Sequence, residues 1–578
     1  MAATPDPNFG YLFRSVNKEY PVPVEACITG TIPDWLDGSL LRNGPGKFEV
    51  GDDEYKHWFD GLALIHRFNF REGRVTYQNK FLRSDAYNKA MKYNRIILSE
   101  FGTLGIPDPC RNILERFASY FVPLNITDND LINIFTIGDD LYACTETCFF
   151  RKLTNIETLD FDKKKVYFVL IFTVLLFRYV WIIALEEEKR SLINQPIQDF
   201  GVLTASAHPH VDRDGVTYNM ASSYIGGSWY NIVRYEPGKS DDPSKHARIV
   251  GSIRAKNCLK PSYYHSFGMS ENYFVFLEQP LYVNLKKLAT SQLRNSAICT
   301  CMEFDNEGKA YFHVMQKRTG KVLSIKYEAE GFFGMHVINC FEEGGHVVFD
   351  MCCYKDDELL QKFYLDYLRN GDPSGKRFFC ASISQRFVLP LNIDKTTTPR
   401  GQNLVTLKDS TAKAVLQKDG SVFLTPEQLS DAITDMPRIN YEQYNGRPYS
   451  YFYAVAAYRR GDFTNALVKV NVKRKSTIMW HENDCYPSEP VFVASPGAVS
   501  EDDGVIVSTV INTRTKRAFL LVLDAADFSE IARAVVPEEV DCPVSFHALY
   551  VPNMSPSGLT AGEDANCNFQ NGREVCVA

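Results

Sequence analysis

Glu72-Gly73 followed by RVTYQNKF (residues 74–81) is a glycine turn feeding a short strand in which apolar and polar side chains alternate. Gly at the turn supplies backbone conformations that other residues resist, and the period-two alternation suits a strand with one buried face. The same unit recurs along the chain. Gly138-Asp139-Asp140 precedes LYACTET (141–147), Asp214-Gly215 precedes VTYNM (216–220), and Gly344-Gly345 precedes HVVFDMCCY (346–354). Asp419-Gly420 then precedes SVFL (421–424), and Asp502-Asp503-Gly504 precedes VIVSTVI (505–511). Successive signals fall about 65 to 85 residues apart, with one gap of about 130 where a member is missing.

Helical periodicity is sparse, with ERFASYF (115–121) and LKKLATSQL (285–293) the better candidates. Many short strands at a long repeated period, without an obvious linker, point to an all-β chain built as a β-propeller with elaborate blades. About seven units fill the 578 residues. Two β-sandwich domains are the structural alternative. A radial architecture matters for chemistry, because it brings inner strands from distant sequence to one axis.

Composition excludes some classes. Net charge is −7 and no dominant basic cluster is present, so nucleic acid is set aside as a partner. Aromatic residues reach 13%, which suits a large apolar ligand and equally a β-rich core. The fifteen cysteines form no CxxC pair, and MAATPDPNFGYLF lacks a secretory pattern, so reduced thiols in the cytosol are expected. Cys576 is third from the end, which does not make a prenylation box. Residues 1–552 read as one propeller domain, and the Ser-, Gly- and Asn-rich residues 553–578 as a disordered tail.

VYFVLIFTVLLFRYVWIIAL (Val166 to Leu185) is twenty residues with only Arg178 charged, flanked by KKK and EEEKR. Its length, at about 1.5 Å per helical residue, matches a bilayer core. It nevertheless lies between Glu146 and His208.

Of eleven histidines, four sit in apolar or aromatic strand-like sequence: ASAHPHVD (His208), PSYYHSFGM (His265), FFGMHVIN (His336) and VSFHALYVP (His547). Taken singly, a satisfied core histidine is the commoner outcome. Their wide spacing leaves a shared metal open, and the residues alone end at a large all-β protein with candidate buried histidines.

Motifs carry the reading further. LLRNGPG (40–46), HWFDGLALIH (57–66), SEFGT (99–103), PDPC (107–110) and CTET (144–147) are followed by AHPH (207–210), SYYHSFG (262–268) and FLEQP (276–280). RFVLPLNIDK (386–395), YPSEPVFV (486–493) and EDDGVI (501–506) complete the set. In this order, from about Tyr11 to Pro552, the chain resembles an animal member of the carotenoid cleavage oxygenase family. Trp58, Tyr264 and Gln279 resemble the carotene-cleaving members rather than the visual-cycle isomerohydrolase.

The resemblance implies a seven-bladed propeller with Fe(II) on its axis, held by His208, His265, His336 and His547, under a cap of loops and helices. It further implies carboxylates behind three of these ligands: Glu146 in CTET, Glu489 in YPSEP and Asp435 in DMPRINY. Asp435 stands where the family has Glu. One methylene shorter, it is expected to make a long or water-bridged contact, with weaker metal binding. His57 belongs to a family motif outside the iron set and reads as structural. Ala548 stands where the family usually has Gly.

The implied reaction is iron(II)-dependent, oxygen-consuming cleavage of a carotenoid double bond to retinal or other apocarotenoid carbonyls. The alternatives are a retinyl ester isomerohydrolase, or an inactive lipid-binding form caused by the apolar insertion at about 160–195. Phe101, Thr145, Tyr263 and Phe546 lie beside these motifs and are expected to line a substrate tunnel. As the family is monotopic, a cytoplasmic protein in peripheral contact with membrane lipid is expected. NILERFASYFVPL (112–124) is either the membrane-facing patch or a helix packed on the propeller. Cys110 acylation, central or off-centre cleavage, the particular carotenoid and the oligomeric state stay open.

Overall fold

The computed structural model describes residues 6–106, 127–163, 166–167, 202–224, 226–238, 243–291 and 293–553. The PDPC motif with Cys110, the stretch 112–124, most of the apolar insertion and the tail after residue 553 lie outside the described residues.

The turn signals act where they were read. Arg71 pairs with Arg74 across Glu72 (φ 51°) and Gly73 (φ 70°), joining Leu62–Arg71 to Arg74–Phe81 by a two-residue turn. Glu343 pairs with His346 across Gly344 (φ 54°) and Gly345 (φ 79°) in the same way. Two successive left-handed residues match the twist of the flanking strands, which selects this turn and discourages β-branched side chains in it. The wide gap contains a signal of the same kind, Asp305 to Gly308 before Lys309–Gln316. Among the described residues of LKKLATSQL, Leu285–Ala289 forms a helix.

Among the described residues the strands form seven sheets of four to six strands and two small two-stranded sheets. In chain order, the edge strand on one side of each large sheet is Ala548–Pro552, Asn133–Ile137, Val202–Ala205, Gly268–Met269, Phe333–Glu343, Ile433–Arg438 and Cys485–Pro487. Ala548–Pro552 touches Asn133–Ile137, Gly268–Met269 touches Phe333–Glu343, and Phe333–Glu343 touches Ile433–Arg438. The seventh sheet returns to the first through Val491–Ala494 against Ala548–Pro552. The sheets therefore close into a propeller, which the two-sandwich alternative does not do.

Both chain ends take part in closure. The late strand Ala548–Pro552 pairs with Gly38–Lys47 in the first sheet, while the early strand Cys27–Gly30 pairs with Glu530–Val535 in the seventh. Opening the ring would break two strand ladders and expose the cores between sheets, in which Leu40, Phe68, Leu520 and Val522 are fully buried.

A cap of loops and short helices sits on one end. His57–Tyr364 form an isolated bridge, the Trp58 amide donates to Phe363 O at 2.9 Å, and the Cys299 amide donates to Phe101 O at 2.8 Å. Trp58 and Phe546 rings, 4.8 Å apart, join this cap to the segment carrying His547. Among the described residues no helix is long and apolar enough to cross a membrane.

Candidate metal centre

His208 lies between the short strands Val202–Ala205 and His210–Val211 of the third sheet, where Pro209 interrupts the ladder. His265 precedes Gly268–Met269 of the fourth sheet, His336 lies within Phe333–Glu343 of the fifth, and His547 immediately precedes Ala548–Pro552 of the first. The Phe333–Glu343 strand shifts register between Gly334 and Val337, a bulge around His336 of the kind that re-aims a side chain.

These placements bring the four rings together. One nitrogen of each lies within 4.8 Å of the corresponding nitrogen of every other. His208 Nε2 and His265 Nε2 stand 2.8 Å apart, and His265 Nε2 and His336 Nε2 stand 3.2 Å apart. Two nitrogens at right angles on one ion, with bonds of about 2.0–2.1 Å, would stand about 3 Å apart, and opposed ones about 4 Å. The cluster thus has the dimensions of a single mononuclear site. Four imidazoles suit a first-row transition metal and leave coordination positions open.

Three carboxylates stand behind the rings. His265 Nδ1 donates to Glu146 Oε1 at 2.6 Å, His336 Nδ1 to Asp435 Oδ1 at 2.6 Å, and His547 Nδ1 to Glu489 Oε1 at 2.8 Å. An ionised carboxylate can only accept, so the ring proton sits on Nδ1 and the inward Nε2 keeps its lone pair. Glu146 comes from the second sheet, Asp435 from the sixth and Glu489 from the seventh. With the four histidines, each large sheet supplies one of the seven residues, and the point that all seven reach is the ring's common centre.

For two of the rings the electrostatics favour the neutral form. Burial, with the three neighbouring histidines, drives His208 well below the usual imidazole range. Burial lowers His547 to about 4 even though Glu489 pulls it upward. Burial opposes ionisation of Glu489, but Arg438 and His547 outweigh it and bring that carboxyl down to about 2. Asp435 is also held below its ordinary value against burial, by His336 and by Tyr354.

The shorter Asp435 was expected to fall short of its histidine. It does not. Its strand shifts register between Asp435 and Arg438, and Met436 takes a left-handed φ of 50°. This bulge presents Asp435 directly to His336, and the Met436 amide donates to Asp435 Oδ1 at 2.8 Å.

The other expected site residues divide into two groups. Phe101 and Phe546 both pack on Phe59, with ring centroids 5.9 and 5.5 Å away, and Phe546 is the residue before His547. Tyr263 donates to Glu146 Oε2 at 2.9 Å, beside buried Thr145. His57 lies outside the cluster: its Nε2 donates to Leu360 O at 2.9 Å and its Nδ1 accepts from Phe59 N at 3.1 Å.

Two residues with clear roles here were not singled out in the sequence. The Tyr354 hydroxyl donates to Asp435 Oδ2 at 2.5 Å, and only its place at the end of HVVFDMCCY hinted at a buried position. Arg42, fully buried within LLRNGPG, donates to Ser545 Oγ at 2.7 Å and to Glu489 O at 3.0 Å. It ties the His547 segment to the segment carrying its carboxylate.

Fold and site together define a β-propeller protein with a four-histidine candidate metal centre. The chain belongs to the retinal pigment epithelial membrane protein family, whose model matches residues 13–552. It is 40% identical over 557 residues to the β,β-carotene 15,15'-dioxygenase of Mus musculus, covering 94% of this chain and 91% of that protein. It is 42% identical over 547 residues to a mitochondrial carotenoid-cleaving dioxygenase of Mustela putorius furo, covering 92% and 95%. These relatives place it on the carotene-cleaving side of the family, as Trp58, Tyr264 and Gln279 suggested. A cobalt-substituted Synechocystis apocarotenoid oxygenase superposes with a TM-score of 0.70 at 20% identity, over 95% of this chain and 99% of that one. At that identity the likeness speaks for the fold.

Proposed function

We propose that this chain is a non-haem iron(II) dioxygenase that cleaves a carotenoid double bond to retinal or other apocarotenoid carbonyl products. The observation that carries the reading is the meeting of four imidazoles, three of them backed by carboxylates.

His208, His265, His336 and His547 would hold the iron, which supplies activation of dioxygen when bound. Glu146, Asp435 and Glu489 fix ring orientation and offset the ion's charge. Phe101, Phe59 and Phe546 present apolar faces that hold a rigid polyene by shape and dispersion and exclude water. Tyr263, bonded to Glu146, and its neighbour Thr145 would border the substrate on the His265 side. Positioning one double bond beside the centre is the main task left to these side chains. The reaction balances without a further reductant: one C=C bond and one O=O bond break, and two C=O bonds form. Because carotenoids dissolve in lipid rather than water, peripheral contact of a cytoplasmic protein with a membrane surface is part of the proposal.

The test supplies the iron-loaded protein with β-carotene in detergent, under air and under argon. Oxygen-dependent aldehyde is the expected result, with retinal marking central cleavage and a longer apocarotenal off-centre cleavage. Unchanged carotene, together with anaerobic conversion of a retinyl ester, would overturn the proposal in favour of an isomerohydrolase.

A further inference from the structure

Three of the four histidines are tied to one another through their backbones by two buried or half-buried serine hydroxyls. Ser206 Oγ accepts from the His208 amide at 3.0 Å and donates to the His265 carbonyl at 2.5 Å. One hydroxyl thus uses both its functions on two segments whose Nε2 atoms stand 2.8 Å apart. Ser266, the residue after His265, repeats the device one sheet further on. Its Oγ donates to Met335 O at 2.5 Å and accepts from Val337 N at 3.1 Å, bracketing His336 on both sides.

Ser206 is itself immobilised. It is 1% exposed, its amide donates to Met220 O at 2.8 Å, and its carbonyl accepts from Asn219 Nδ2 at 2.8 Å. Asn133 Nδ2 donates to Ala207 O at 2.8 Å, so the residue between Ser206 and His208 is also anchored to the second sheet. Side chains with rigid supports of this kind transmit sheet geometry to the atoms they hold. Imidazole orientation about Nδ1 is governed by the carboxylates, but the spacing between rings is a backbone property. His208 makes this plain, because the contact that holds its backbone goes to Ser206 Oγ.

We infer that Ser206 and Ser266 are positioning residues for the metal, setting the His208–His265 and His265–His336 separations and hence the affinity and geometry of the centre. This inference rests on the reading that the four histidines bind a metal. Removing either hydroxyl strands a backbone amide and a carbonyl at the ligand segments and frees neighbouring rings to drift apart. Loss of comparable supports around metal ligands weakens binding about 10- to 100-fold.

The experiment titrates metal-free full-length protein with Co(II), reading affinity by chelator competition and geometry from the visible absorption of the bound ion. The parent and His265→Ala establish whether the four-histidine reading holds, independently of the serines. Ser206→Ala and Ser266→Ala are expected to bind Co(II) about 10- to 100-fold more weakly and to shift its absorption bands, and Ser206→Thr, which keeps the hydroxyl, is expected to restore both. Thr217→Val is the control: Thr217 Oγ1 donates to Thr136 O at 3.0 Å, an inter-sheet link away from the histidines. It is expected to lower the melting temperature without altering Co(II) affinity or spectrum. Should either alanine variant fail to fold, the other and the Thr variant still decide. Parental affinity and spectrum in a folded Ser→Ala variant, or losses no greater than in Thr217→Val, would overturn the inference while leaving the metal site standing.

Discussion

Asp435 Oδ1 lies 2.6 Å from His336 Nδ1, and the backbone bulge at Met436 makes that contact with a side chain one methylene shorter than the family's usual glutamate. Tyr354 holds the second oxygen of the same carboxylate at 2.5 Å. The carboxylate is therefore pinned from two sides, and its role does not depend on length alone.

Replacing Asp435 with Asn keeps the shape but removes the charge and the obligatory acceptor. Metal affinity is expected to fall about tenfold, read by chelator competition. Asp435→Glu puts a longer side chain on a bulge already built for the short one. No gain in affinity is expected, and a tenfold gain would show that the native contact is strained.

His265 Nε2 lies 2.8 Å from His208 Nε2 and 3.2 Å from His336 Nε2. His265→Ala is expected to abolish iron retention through gel filtration, measured by elemental analysis. Full iron content in this variant would remove the four-histidine centre.

Metal loading is expected to raise the melting temperature, because ligands from the first, third, fourth and fifth sheets meet only in the folded ring. A metal held a hundredfold above its dissociation constant stabilises by about 2.7 kcal/mol. Calorimetry with and without chelator measures it; identical transitions would contradict the prediction.

A Cβ on Gly44 would lie 2.6 Å from Ser545 Cα and 3.1 Å from Phe546 N. Both obstacles are backbone, so no side-chain rotation relieves them. Gly44→Ala is expected to destabilise by about 1–3 kcal/mol and to push the His547 segment away, lowering metal content as well as melting temperature.

Burial, with a smaller contribution from Arg42, lowers His66 to about 3. The unfolded chain protonates this histidine near pH 6.5, so between that pH and about 3 the unfolded state binds the extra proton. Its neutral burial therefore costs stability progressively as pH falls. Asp60, raised to about 6 by burial, acts in the opposite direction, since the unfolded state loses its proton first. The parent profile mixes both, and a difference isolates one. His66→Gln is expected to gain on the parent by up to about 1.4 kcal/mol per pH unit below pH 6. Melting temperatures at pH 7, 6 and 5 measure it; a pH-independent difference would refute the buried neutral state.

Much of the fold was legible because two-residue hairpins demand left-handed backbone at defined positions. Glu72-Gly73 and Gly344-Gly345 therefore announce themselves in the sequence. The fourth sheet was harder to see. Its strands Tyr273–Glu278 and Lys309–Gln316 pair directly, yet an excursion containing Leu281–Val283 and Met302–Phe304 separates them in the chain. Asp305 to Gly308 marks a strand start there but no simple hairpin. The histidines were legible as apolar-flanked residues, and their grouping came from motif order, since nothing local links His208 to His547.

By themselves, the amino acids dictated the turns and the alternating strands, which depend on neighbours a few residues away, and set four histidines in apolar or aromatic strand-like sequence. Which atoms meet was decided only by tertiary structure. Ring closure brings seven sheets to one point, and there the bulge at Met436 and the hydroxyls of Ser206 and Ser266 set distances to tenths of an ångström. Backbone displacements of that size arise from contacts between segments tens to hundreds of residues apart, and no local pattern of side chains encodes them.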